Sequence, residues 1–271
     1  ITRKVADKLK ALFNENRADF EAKWNDIKIV LEYGMLSEDK FYEKAGAFVL
    51  YPTVDDTYFT LEELKEKLKE NQTDKDGKLV VLYAGNKDAQ HSYIETAKEK
   101  GYEVLLLDSP IISHLIQKIE GDNKDVTFVR VDSDHIDNLI KKDENTISKL
   151  SDEEKETLKT SLEAYIPKAY SVQLEAMDSQ AAPFIITQPE FMRRMKEMSQ
   201  SGGGGMFGMG NFPEMYNLII NTNSDLATTI LNTADKQAQE GLVKQALDLA
   251  KLSQNLLKGE ELTAFVKRNF E

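Results

Sequence analysis

LVVLYAGNKDAQHSYIETAKEKGYEVLLLDSPIISHLIQKIEGDNKDVTFVRV (79–131) is the stretch that decides the first half of the fold. It holds three short apolar runs, LVVLYAG (79–85), EVLLL (103–107) and VTFVRV (126–131). Between them lie two segments with helical spacing, Asp88 to Lys100 and SPIISHLIQKI (109–119). Strands alternating with helices of this length predict βαβ units, a parallel sheet and right-handed crossovers. The strand ends of such a sheet can hold a nucleotide. However, YAGNKDA carries a single glycine and no G-x-G-x-x-G or P-loop, so this signal is weak.

Upstream, Val5, Leu9, Leu12 and Phe13, then Phe20, Trp24, Ile27 and Leu31, repeat at helical spacing and predict helices over 1–33, ending at Gly34. Residues 35–60 give no clear period, and AFVLYPTVDDTYFT reads as extended chain. Thr60 with Glu63 forms a capping box for TLEELKEKLKE. Downstream, the polar stretch 132–150 marks a domain boundary, giving domains 1–141 and 142–271. Ser151 with Glu154 caps another helix, which Pro167 ends. AYSVQLEAM, PFIIT and EMYNLIINT then read as strands. Three helices follow, marked by Leu226, Ile230 and Leu231, by Leu242 to Leu256, and by Leu262 to Phe270, with Gly259 separating the last two. The predicted class is therefore α/β plus α+β. A small βαβαβ domain behind N-terminal helices is followed by an α+β domain that ends in a helix pair.

The chain has 271 residues and a net charge of -12, with the acidic excess present in both halves. That distribution is the opposite of a nucleic-acid footprint, which needs clustered Lys and Arg. Hydrophobic residues make up 41 % and cysteine is absent, so a core is expected while disulfides and thiol chemistry are excluded. No apolar run is long enough to predict a membrane span, and ITRKVADKLK is no signal peptide, so a cytoplasmic location is expected. The first residue is not Met, and the reading is of a fragment. The three histidines, His91, His114 and His135, lie at unrelated spacings, and no G-x-S-x-G elbow occurs. No metal site, no cofactor in this segment and no enzyme active site are expected. A small-molecule-binding α/β enzyme domain with a helical oligomerisation tail stays open as the alternative.

Two stretches carry more. AAPFIITQPEFMRRMKEMSQSGGGGMFGMGNFP (181–213) holds five of the eight methionines. On a helical wheel Phe191, Met195 and Met198 cluster with Met192 beside them, while Arg193, Arg194, Lys196 and Glu197 point elsewhere. Such a stripe is either the core side of an ordinary helix or an adaptable apolar face. The glycine run behind it suggests a loosely tethered segment. The last helices are rich in Leu with small residues at Ala246, Ala250 and Ser253. They pack either on the preceding sheet or against the same two helices of a second chain, as an isologous four-helix bundle.

The order EVLLLDSPIISHLIQKI, QLEAMDSQAAPFIIT, FMRRMKEM, DLAKLSQNLLKGEELTAFVKRNF resembles the heat-shock protein 90 chaperones, most nearly the bacterial high-temperature protein G type. The region covered is the latter part of the family's middle domain plus its C-terminal dimerisation domain. The resemblance implies a homodimeric, ATP-driven chaperone for unfolded or partly folded client proteins, whose ATP and Mg site lies upstream. It implies a client-binding surface at Phe191, Met192, Met195 and Met198, bordered by Ser113, His114 and Gln117. It implies a dimer interface at Leu242, Ala246, Leu249, Ser253, Leu256, Leu262, Phe265 and Val266. AFVLYPTVDDTYFT and SGGGGMFGMG depart from the family pattern and imply a divergent bacterial branch.

Overall fold

A computed structural model describes residues 2–142, 145–201 and 214–270. The chain divides into two compact units, and the division is not sequential. The first unit contains residues up to Val131, Leu139–Lys141 and the segment that starts at Glu190; the second contains Asp132–Asn138, Lys142–Pro189 and the C-terminal stretch. Among the described residues there are thirteen helices, and the sheets are small.

The first unit opens with four helices, α1 (Thr2–Glu15), α2 (Arg17–Ala22), α3 (Trp24–Ser37) and α4 (Asp39–Ala45). One expectation is corrected here, and one segment without a clear period is placed. Gly34 does not end a helix, because α3 runs on to Ser37, and residues 39–45 are helical. A Cβ at Gly34 would stand 3.1 Å from the Phe41 ring, so the glycine lets α4 approach α3 closely. Phe41 and Ala45, one turn apart, are the residues of α4 that bury, and two positions are too few to give a legible period. After them β1 (Tyr51–Pro52) and β2 (Tyr58–Phe59) pair antiparallel. Then comes α5 (Leu61–Leu68), whose Thr60/Glu63 capping box is formed in both directions.

The βαβαβ core has the expected order: β3 (Leu79–Ala84), α6 (His91–Glu99), β4 (Val104–Leu106), α7 (Ile112–Asp122) and β5 (Val126–Arg130). The strands form a parallel sheet in the order β4-β3-β5, with Leu82 opposite Val104 and Leu79 opposite Val126. Every residue of β3 is buried, as a central strand covered on both faces must be. Trp24, Phe48, Tyr83, Leu115, Ile116 and Phe128 fill the core of this unit.

A short helix α8 (Ile136–Leu139) leads into α9 (Asp152–Glu163), which starts on the Ser151/Glu154 capping box. The second sheet uses β6 (Tyr170–Glu175), β7 (Phe184–Thr187) and, after α10 (Glu190–Ser201), β8 (Tyr216–Asn221). Strand β8 is central, parallel to β6 and antiparallel to β7. The chain ends with α11 (Asp225–Asn232), α12 (Lys236–Ser253) and α13 (Gly259–Arg268). Gly259 has φ +56° and is the first residue of α13, and Asn255 takes the left-handed conformation that follows α12. Leu158, Leu162, Ile186, Leu218, Ile220, Ile230 and Val243 make the second core. The glycine run at 202–205, Met206 and Met209 lie outside the described residues, and so does the tether expected there. No described helix is long and apolar enough to cross a membrane.

Candidate functional site

Helix α10 belongs to the first unit although its sequence neighbours β7 and β8 belong to the second. Its first charged residues explain why. Glu190, Arg193, Arg194 and Glu197 are spaced by three, four and seven, so they share one face of a helix. That face turns onto β3, β5 and α7. Arg193 is 4 % exposed. Its Nη2 donates to Tyr83 Oη at 2.5 Å and to Glu190 Oε1 at 2.6 Å, and its Nη1 donates to both carboxylate oxygens of Glu197 at 2.7 Å. Arg194 reaches Glu190 through Nε (2.7 Å), Glu120 on α7 through Nη1 (2.8 Å), and the Phe128 carbonyl on β5 through Nη2 (2.5 Å).

The carboxylates are tied in turn. Glu190 Oε1 accepts from the Tyr83 hydroxyl at 3.0 Å, and its Oε2 accepts from the Arg130 amide at 3.1 Å. Glu197 accepts from Ser113 Oγ at 2.5 Å, and Arg130 Nη1 stands 3.5 Å from it. Glu120 also accepts from the Phe128 amide at 2.7 Å. Three guanidinium groups (Arg130, Arg193, Arg194) thus balance three carboxylates (Glu120, Glu190, Glu197). Burial alone would push the Glu190 carboxyl up, but Arg193 and Arg194 outweigh it and hold it below the usual range. Burial would likewise lower Arg193, and Glu190, Tyr83 and Glu197 together more than reverse that. Burial and then Glu190 push the Tyr83 phenol upward, so it remains a neutral donor. The helix is therefore fastened by a network of charge-assisted hydrogen bonds, bidentate between Arg194 and Glu120.

These contacts hold α10 to the unit: the arginines that point away from the methionines point into it. Phe191, Met192 and Met195 do not face the core of their own unit. They are 71 %, 40 % and 42 % exposed, hence not core, while Met198 is half-buried. On α7, Ser113, Gln117 and Glu120 fall on one row, and its two ends bond to α10. Exposed Gln117 therefore lies on the row facing α10, and half-buried His114 lies one residue round the helix. The clamp itself goes beyond what the sequence pattern implies. Its signal is Glu-x-x-Arg-Arg-x-x-Glu at helical spacing, which reads equally well as a solvated face.

In the second unit α12 buries Val243, Ala246, Leu247 and Ala250 in its own core, and Leu242 and Leu256 pack against that core half-buried. Leu249 and Leu252 are left 48 % and 44 % exposed, and Ser253 is exposed. Helix α13 buries no residue. Leu262 and Phe265 are half-buried, and Val266 and Phe270 are 42 % and 88 % exposed. Of the eight residues assigned to an interface, only Ala246 is therefore enclosed within its own unit.

Residues 1–257 match the family described as "Hsp90 protein", and the chain belongs to that family. Among its relatives is "Chaperone protein HtpG" of Bacteroides thetaiotaomicron, 37 % identical over 100 % of this chain and 50 % of the relative. "Chaperone protein HtpG" of Porphyromonas gingivalis is 40 % identical over 93 % of this chain and 37 % of the relative. The chain thus spans about half the length of the first of these relatives.

Proposed function

We propose that this chain is the client-holding and self-associating part of an ATP-driven chaperone. The observation that carries the reading is the mounting of α10: one face ionically fastened, the opposite face offering Phe191, Met192 and Met195 to water. Methionine side chains are flexible and polarisable, so such a face accepts apolar segments of varied shape. Met198, with Gln117 and His114 on α7, extends it. The reading assigns self-association to α12 and α13, where Leu249, Leu252, Leu262, Phe265, Val266 and Phe270 lack full apolar cover in their own unit. Pairing two copies there makes an isologous four-helix contact and brings two client faces together, raising the effective concentration of each toward one client. ATP chemistry belongs, in this reading, to the part of such a chaperone that this chain does not span. The partners are a second copy and unfolded proteins, and the location is cytoplasmic.

Two measurements test this. Sedimentation equilibrium should give twice 30.7 kDa at micromolar concentration, and one copy for Leu249→Arg with Leu256→Arg. Met192→Glu with Met195→Glu should weaken suppression of the aggregation of an unfolded protein while leaving the sedimentation unchanged. Suppression equal to the unmodified chain would remove α10 from the client surface.

A further inference from the structure

The contact between α12 and α13 is the reverse of an ordinary helical hairpin, in which apolar stripes meet and charges face water. Here α12 turns Gln245, Asp248 and Lys251 toward α13, and the side chains of Asp248 and Lys251 are only 11 % and 10 % exposed. Arg268 Nη2 donates to Asp248 Oδ2 at 2.8 Å and to Gln245 Oε1 at 2.9 Å, and Gln245 Nε2 donates to Asn269 Oδ1 at 3.0 Å. Lys251 Nζ donates to Glu261 Oε2 at 2.5 Å. The Arg268 guanidinium also lies 5.6 Å from the Phe265 ring centroid.

The sign order matters. Along α12 it runs Asp248 then Lys251, and along α13 Glu261 then Arg268. The observed antiparallel pairing opposes unlike charges, whereas running α13 the other way would set Asp248 against Glu261. A shift by one turn would leave two nearly buried charges unpaired, which is costly. With no residue of α13 buried, its apolar groups contribute little to this choice.

We propose that Asp248, Lys251, Glu261 and Arg268 are positioning residues for self-association. Their seam sets the register of α13 on α12, with Leu249 and Leu252 of α12 and Val266 of α13 left exposed for a second copy. The inference rests on the self-association reading above and adds what selects its geometry.

The test uses the whole chain, with the dimer constant from sedimentation and amide exchange of α13 as readouts. Asp248→Arg should weaken the dimer by at least about tenfold and strip protection from α13. Asp248→Arg with Arg268→Asp should restore both to within about threefold of the unmodified chain. Lys251→Glu with and without Glu261→Lys gives an independent second pair, and recovery in either swap shows that the single variant's loss was one of pairing and not of folding. A dimeric unmodified chain whose constant ignores the single reversals, or swaps that restore nothing, overturns the inference while leaving self-association standing. An unmodified chain that stays monomeric overturns the self-association reading itself.

Discussion

Helices α10 and α13 both carry an apolar face that their own unit leaves uncovered, and both are held to that unit by charge. The two fastenings differ in depth. On α10 the guanidinium of Arg193 is enclosed and meets Tyr83, Glu190 and Glu197 at once, while Arg194 spans to α7 and β5. On α13 the partners Glu261 and Arg268 keep 60 % and 35 % of their side-chain exposure. An enclosed network resists water and salt, whereas a half-exposed one is screened. The contrast assigns α10 the role of a fixed platform and α13 that of a conditional element.

Four experiments break or sharpen that contrast. Arg193→Ala leaves Glu190 and Glu197 short of their main counter-charge, and should lower the unfolding free energy of the first unit by about 3–5 kcal/mol in urea titration. A loss as small as a surface substitution would make α10 no better fastened than α13. Tyr83→Phe removes one buried hydroxyl that both accepts from Arg193 and donates to Glu190. It should cost about 1–2 kcal/mol in the same titration. Leu262→Ala on α13 should change the unfolding of the second unit by under about 1 kcal/mol at concentrations where the chain is monomeric. A larger cost would mean that α13 is anchored by apolar burial after all.

The smallest effect concerns a pair with both partners more open than the buried half of the α13 seam, Arg17 with Glu63. The hydrogen bond from Arg17 holds the Glu63 carboxyl down at about 2, against a smaller upward push from burial. Its folded value is thus below the unfolded value of about 4.3, so its stabilisation is present above that pH and is lost as pH falls toward 2. Solvent screening keeps this under about 1 kcal/mol. Glu63→Gln should flatten the unfolding-versus-pH curve between those limits, and an unchanged slope would remove Glu63 from the acid response.

What was legible in the sequence follows from the same physics. The parallel sheet was readable because β3 is apolar throughout. The two capping boxes were readable because Ser or Thr with Glu three residues on supplies both reciprocal hydrogen bonds of a helix start. Helix α4 was not, since Phe41 and Ala45 alone do not establish a period. The outward face of α10 could be drawn from the wheel, but its clamp could not. Tyr83 and Glu120 lie far away in sequence, and a buried arginine looks like an exposed one until its partners are placed. For α13, the spacing of Leu262, Phe265 and Val266 marks one face without saying that its own unit covers that face only in part.

The path of the chain bears on how the protein is made. Arg193 follows its partner Tyr83 by 110 residues. At bacterial elongation rates that distance takes about 5–20 s to synthesise. For that interval the nascent sheet of the first unit carries the Tyr83 hydroxyl and the Glu120 carboxylate without the guanidinium groups that later cover them. The first unit is therefore completed only after β6 and β7 of the second have left the ribosome, and a gene cut between residues 141 and 142 would sever it from its own last helix.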